Sequence, residues 1–154
     1  MSIIPNYVPS NMKTVNVFLA VKDAPKAIEF YNRAFGAEEV MRLTDPNNGK
    51  IVHSEIKIAD TVIMLAEEDP QYSKSPSTLG GTSVIIQLYT GDADAVFEEA
   101  IKAGCEVIYP LKDQFYGDRA GRLQDPFGHQ WMICTHKESL TANEMQKRFH
   151  ELYS

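Results

Sequence analysis

Apolar and polar side chains alternate along Val15, Asn16, Val17, Phe18, Leu19, Ala20 and Val21, with the aliphatic residues at every second position. A period of two predicts a strand with one face on a core. Asp23 then offers a carboxylate to the free N–H groups of a helix start, and Pro25 falls in the first turn, where a missing donor costs little. Ile28, Tyr31 and Phe35 follow at three- and four-residue spacing, a stripe suited to packing on a sheet. Gly36 predicts the helix end, because glycine enters a left-handed cap without steric cost.

The same pattern returns. Shifted by 69 residues, Val15 falls on Val84, Asp23 on Asp92, Ala24 on Ala93 and Glu29 on Glu98. Past the first helix the offset becomes 68, which matches Gly36 with Gly104, Val40 with Ile108 and Met64 with Met132. The second helix carries Val96, Phe97, Ala100 and Ile101 before Gly104. Two copies indicate duplicated modules rather than a solenoid array.

Two more extended segments follow each helix. In the first copy Val52, Ser54, Ile56 and Ile58 alternate with His53, Glu55 and Lys57, and Val62 to Ala66 follows across an Ala-Asp turn. In the second, Gly121 to Gln124 and His129 to Cys134 flank Asp125-Pro126-Phe127-Gly128, a composition that predicts a tight turn. The fold class is therefore α+β: two βαβββ modules at about 12–66 and 83–137 within one domain over 1–154, joined by a Ser-, Pro- and Gly-containing linker at about 67–82. A further helix is predicted at about 139–153. Thr141 and Glu144 read as a capping box there, with Met145, Phe149 and Leu152 on one stripe that docks on the body or on a partner subunit.

Composition narrows the partners. A chain of 154 residues with 44% apolar content can bury one sizeable core. A net charge of −6 leaves no basic face for nucleic acid, and the scattered charges leave no footprint for a membrane surface. No apolar run nears the roughly 20 residues needed to span a bilayer, and the N-terminus lacks the basic-then-apolar pattern of a signal peptide. A cytoplasmic location is expected. Cys105 and Cys134 lack metal-binding spacing and are read as reduced, structural thiols.

The most distinctive run is Phe115-Tyr116-Gly117-Asp118-Arg119, then Asp125-Pro126-Phe127-Gly128-His129-Gln130-Trp131. With the duplicated module, it resembles the vicinal oxygen chelate superfamily of glyoxalase I, ring-cleaving dioxygenases and bleomycin- and fosfomycin-resistance proteins, and most closely its PhnB-like branch. The resemblance spans roughly Met12 to Lys137. It implies cup-shaped mixed sheets and, commonly, a homodimer. Metal-using members project one ligand from the first and one from the last strand of each module. Carried over, those positions are Asn16, Met64, Ile85 and Met132. An isoleucine cannot ligate and thioethers are soft donors, whereas divalent-metal enzymes of this type use imidazole and carboxylate. No metal and no cofactor are expected. Methyl transfer has no support either, since no Gly-rich cofactor loop follows the first strand.

Several residues carry candidate chemistry. By alternation Met64 and Met132 point into the cup with Asn16, Phe18 and Ile85, giving an adaptable apolar lining for a small molecule, or else a closed dry core. His53, Glu55 and Lys57 share one strand face that meets either solvent or a wet cavity; in the second case His53 and Glu55 line the cup beside Asn16 and can form a proton-transfer pair. Tyr116 can stack on a ligand ring. Arg119 can hold an anion, or pair with Asp118 to fix the loop, which is the favoured role. His129 and Trp131 are expected to pack. The reading is a metal-free protein that binds a small apolar or planar molecule. The alternatives are a lyase, isomerase or group-transfer enzyme using His53 and Glu55 or a relocated metal, and a protein serving only assembly.

Overall fold

The computed structural model describes residues 7–154. The absence of a signal segment was read partly from residues 1–6, which lie outside that range. The chain forms two compact units, the first closing at Gly81 and the second running from Thr82 to Ser154.

In the first unit β1 (Phe18–Val21), α1 (Ala24–Phe35), β2 (Glu38–Thr44), β3 (Ile51–Ile58) and β4 (Thr61–Glu67) give the expected βαβββ order. The sheet order is β1-β4-β3-β2, with β1 parallel to β4 and the other pairs antiparallel. The Asp23 side chain accepts from the Lys26 N–H, Pro25 occupies the first turn, and Gly36 closes α1 at φ 68°. Leu19, Val21, Ile56, Ile63 and Leu65 from the sheet and Ala27, Phe30 and Tyr31 from α1 are buried. Removing such side chains from water is the main favourable contribution to folding.

Three local expectations change. β1 begins at Phe18, and Val15 is exposed, because Asn16 exchanges hydrogen bonds with Lys13, accepting from its N–H and donating to its C=O. A short amide side chain that bonds nearby backbone competes with the sheet ladder. In β3 the register slips opposite Leu43 and Thr44, so Ile51 is buried and Val52 is exposed. The linker also has its own structure. Short helix α2 (Pro76–Leu79) is capped by the fully buried Ser75, whose N–H donates to Glu68 over 2.8 Å, and Glu67 already belongs to β4.

In the second unit β5 (Ile85–Tyr89), α3 (Ala93–Ala103), β6 (Glu106–Asp113), β7 (Asp118–Gln124) and β8 (Gln130–His136) repeat the module, in sheet order β5-β8-β7-β6. Asp92 caps α3 by accepting from Ala95, as Asp23 does for α1. Phe97, Ala100, Leu123, Trp131 and Ile133 form the buried side. A Cβ on Gly121 would stand 2.8 Å from both the Phe97 ring and the Leu111 nitrogen. Glycine is required there so that α3 can seat an aromatic ring directly on the β7 backbone. Asp118 and Arg119, expected in a loop, are the first residues of β7.

α4 (Ala142–Glu151) starts on the expected capping box, with Thr141 and Glu144 exchanging side chain to backbone bonds. It docks on its own unit: the Phe149 ring lies 5.3 Å from that of Phe115, and Arg148 pairs with Glu138. Among the described residues no helix is long and apolar enough to cross a membrane.

Candidate functional site

The face of each sheet turned away from its long helix carries the chemistry. In the second unit, residues opposite one another across the strands share a face. Gln87 is opposite Met132, Met132 opposite Arg122, and Arg122 opposite Tyr109, a row across β5, β8, β7 and β6. The Tyr109 hydroxyl lies 3.5 Å from the Met132 sulfur, and the Arg122 guanidinium sits 5.1 Å from the centre of the Tyr109 ring. A cation over an aromatic face is attracted by the ring quadrupole. The next row is Tyr89, Cys134, Ala120 and Lys112.

A pocket of about 370 Å³ opens beside these rows, lined by Tyr109, Pro110, Lys112, Gln114 and Tyr116. Burial raises the Tyr116 hydroxyl above its ordinary range, so the ring presents a neutral phenol. Next to it runs a hydrogen-bonded chain. The Tyr89 hydroxyl donates to Asp118 over 2.6 Å, the other Asp118 oxygen meets His136 Nδ1 at 2.7 Å, and His136 Nε2 meets Ser139 Oγ at 2.9 Å. Asp118 is buried, and its hydrogen bond pushes the Tyr89 hydroxyl up to about 12.

The equivalent row in the first unit is Phe18, Met64, Glu55 and Met41. His53 stands on the same face, its Nε2 3.6 Å from Glu55 Oε1 and its ring 6.3 Å from that of Phe18. Asn11 donates to the second Glu55 oxygen over 3.0 Å. The structure thus brings together His53, Glu55, Phe18 and Met64, and in the second unit Met132 and Tyr116 with residues that sequence reasoning missed.

Asn16 and Arg119 stand elsewhere. Asn16 is exposed in the turn before β1, and Phe18 rather than Asn16 is the β1 residue beside Met64. Ile85 is opposite Gln130, and Gln87 takes the place beside Met132. Arg119 grips both Asp94 oxygens at 2.7 and 2.8 Å and Asp113 at 3.3 Å, joining β7 to α3 on the helix side. The expected Asp118–Arg119 pair is therefore replaced by two separate pairings, because adjacent strand residues point to opposite faces. Trp131 is buried with its indole donating to Asp125, as packing requires, and His129 lies in the turn whose backbone Asp125 caps.

Gln87, Tyr89, Tyr109, Lys112, Arg122 and His136 were not singled out from the sequence. Alternation back from Met132 reaches His136, and pairing through β7 reaches Arg122. The β6 residues were beyond that signal, because the β6–β7 register slips twice, between Val107 and Tyr109 and between Tyr109 and Lys112.

Phe18, Met64, Gln87 and Met132 are a poor donor set for a divalent metal, offering two thioethers, one amide and no imidazole or carboxylate. Among the described residues no three His, Cys, Asp or Glu side chains converge to hold an ion.

Comparison with known proteins agrees with the repeated module. The chain is 41% identical over 132 residues to the uncharacterized protein Mb0911c of Mycobacterium bovis, covering 83% of this chain and 86% of that one. It is also similar to the crystal structure of TioX from Micromonospora sp. ML1, at 27% identity and TM-score 0.64 over 80% of this chain and 98% of that one. The PhnB protein of Bacillus cereus shares the fold at 17% identity and TM-score 0.58, over 80% and 99% of the two chains. With the family model matching residues 13–133, the chain belongs to the Glyoxalase/Bleomycin resistance protein/Dioxygenase superfamily.

Proposed function

We propose that this chain is a PhnB-like member of the superfamily that binds a small planar or apolar molecule without a metal and works as a homodimer. The observation that carries the reading is the half-buried Met132 placed between Gln87 and Arg122, opposite the helix side and beside a pocket with two tyrosines in its wall. A polarizable thioether adapts to aromatic surface, and small-molecule sites are concave and mainly apolar with a few fixed polar groups. Met64 beside Phe18 offers a comparable surface in the first unit.

Titration with 2-naphthalenemethanol tests the reading. In the Met132→Trp variant, affinity is expected to fall at least about tenfold, or about 1.4 kcal/mol, with an unchanged denaturation midpoint. A midpoint lowered by about 1–3 kcal/mol with no change in binding would mean that the methionine closes a packed core.

A second reading rests on His53 and Glu55 standing side by side on one face of β3, 3.6 Å apart, where an imidazole and a carboxylate could serve as acid and base toward a bound substrate in a lyase or isomerase. Loss of turnover in His53→Gln with ligand affinity retained would favour it over binding alone.

A further inference from the structure

We infer that the ligand carries a carboxylate on its planar ring, and that Arg122 and Lys112 form the anion-binding element of the second unit. This rests on the binding reading above and narrows the class of molecule bound.

Arg122 is the first support. Its Nε is buried and has no hydrogen-bond partner, and among the described residues its guanidinium enters no ion pair. Leaving a buried donor of a charged group unsatisfied is costly, so such a donor points to a missing acceptor. Arg119, three residues earlier on the same strand, shows the contrast, since two carboxylates already engage it. The Tyr109 ring lies against one face of the Arg122 guanidinium, so an oxyanion would have to meet it in the guanidinium plane, the direction in which arginine binds carboxylates.

Lys112 is the second. Tyr109 is opposite Arg122 and Lys112 opposite Ala120, and since Arg122 and Ala120 are two apart on β7, all four share one face. The register slip over Pro110 and Leu111 makes this possible. Lys112 therefore lines the pocket with Tyr109 and Tyr116, and no carboxylate lines it. Asp118, on the same face, has its two oxygens engaged by Tyr89 and His136. Two cationic side chains, Arg122 and Lys112, thus share a face with one carboxylate, Asp118, and stand next to aromatic rings, a combination suited to an aromatic acid.

The test uses the full chain and three probes in calorimetric titrations: 2-naphthoate, its neutral counterpart 2-naphthalenemethanol, and inorganic phosphate. Naphthoate is expected to bind at least about tenfold more tightly than the alcohol, the effect of one charge-assisted hydrogen bond. Arg122→Gln should abolish that preference, read as the ratio of the acid and alcohol affinities within the same variant. Lys112→Gln, at an exposed position that keeps the fold, should reduce the preference, as should raised salt. Equal affinity for acid and alcohol would overturn the anion site and leave the binding reading standing, whereas binding of neither would remove both. Phosphate binding as tight as naphthoate would overturn the aromatic class.

Discussion

The Trp131 indole donates to Asp125 Oδ2 across 2.9 Å, while Asp125 Oδ1 accepts from the N–H groups of Phe127 and His129 at 2.9 and 3.0 Å. The Asp-Pro-Phe-Gly-His-x-Trp run is thus one structural device, a buried carboxylate that caps a turn and anchors the largest core side chain. Asp125→Ala should cost about 3 kcal/mol or more in denaturant unfolding, since it strands three donors at about 1–3 kcal/mol each where they are buried. Binding of 2-naphthoate should be unchanged at protein concentrations where the variant is folded. A loss of affinity without a loss of stability would assign the turn to the ligand site instead.

The contact between Tyr89 and Asp118 sets a pH dependence. The folded-state value of Tyr89 is raised from 10.0 to about 12, chiefly by its hydrogen bond to Asp118. The stability from this contact is therefore complete below pH 10 and is lost as pH rises through about 12. In spectra of protein labelled at tyrosine Cζ, the Tyr89 signal should titrate near 12, and Asp118→Asn should lower its midpoint. A midpoint near 10 in the native protein would contradict the contact.

Burial pushes the Cys105 thiol up to about 12, and Cys134 is raised by the same cause. The thiolate is the reactive species. Cys105 should react with iodoacetamide at pH 8 at least about a hundredfold more slowly in the native protein than in denaturant, and Cys134 should be slowed in the same direction. Rapid native labelling of either one would show that its side chain is accessible.

Arg119→Ala should remove the bridge from β7 to Asp94 and Asp113, with only a small lowering of the denaturation midpoint because both carboxylates are exposed. It should leave 2-naphthoate affinity within about twofold of the parent. A tenfold loss would restore Arg119 to the ligand site.

Light scattering at micromolar concentration should return about twice the 17.3 kDa chain mass. Each unit's sheet has β1 or β5 at one edge and β2 or β6 at the other, and strand edges are normally covered. A monomer mass across that range would remove the homodimer proposal.

Strand and helix identity were legible because period-two and helical stripes, aspartate caps and Gly36 each act locally. The repeat also predicted the βαβββ order. Asn16 could not be placed that way: its side chain bonds Lys13 instead of extending β1, a contest between side chain and ladder that alternation does not weigh. The partners of Arg119 and Asp118 were hidden as well. Arg119 reaches Asp94 on α3, 25 residues away, and Asp118 reaches Tyr89, 29 residues away, so both pairings depend on the assembled sheet. His53 and Glu55 were readable as a pair because both sit on one strand.

The two slips in β6 make the character of a face depend on chain length as much as on residue type. A strand kept in unbroken register from Val107, opposite Leu123, would set Ile108 against Arg122 and Pro110 against Ala120. The wall of the pocket would then be greasy and neutral. Two surplus residues substitute a phenol and an amine for those side chains without changing a single amino acid on the facing strand. Among chains of this kind, insertions and deletions in β6 should therefore change ligand preference as sharply as point substitutions do, and relatives with similar composition but different β6 length should select different molecules.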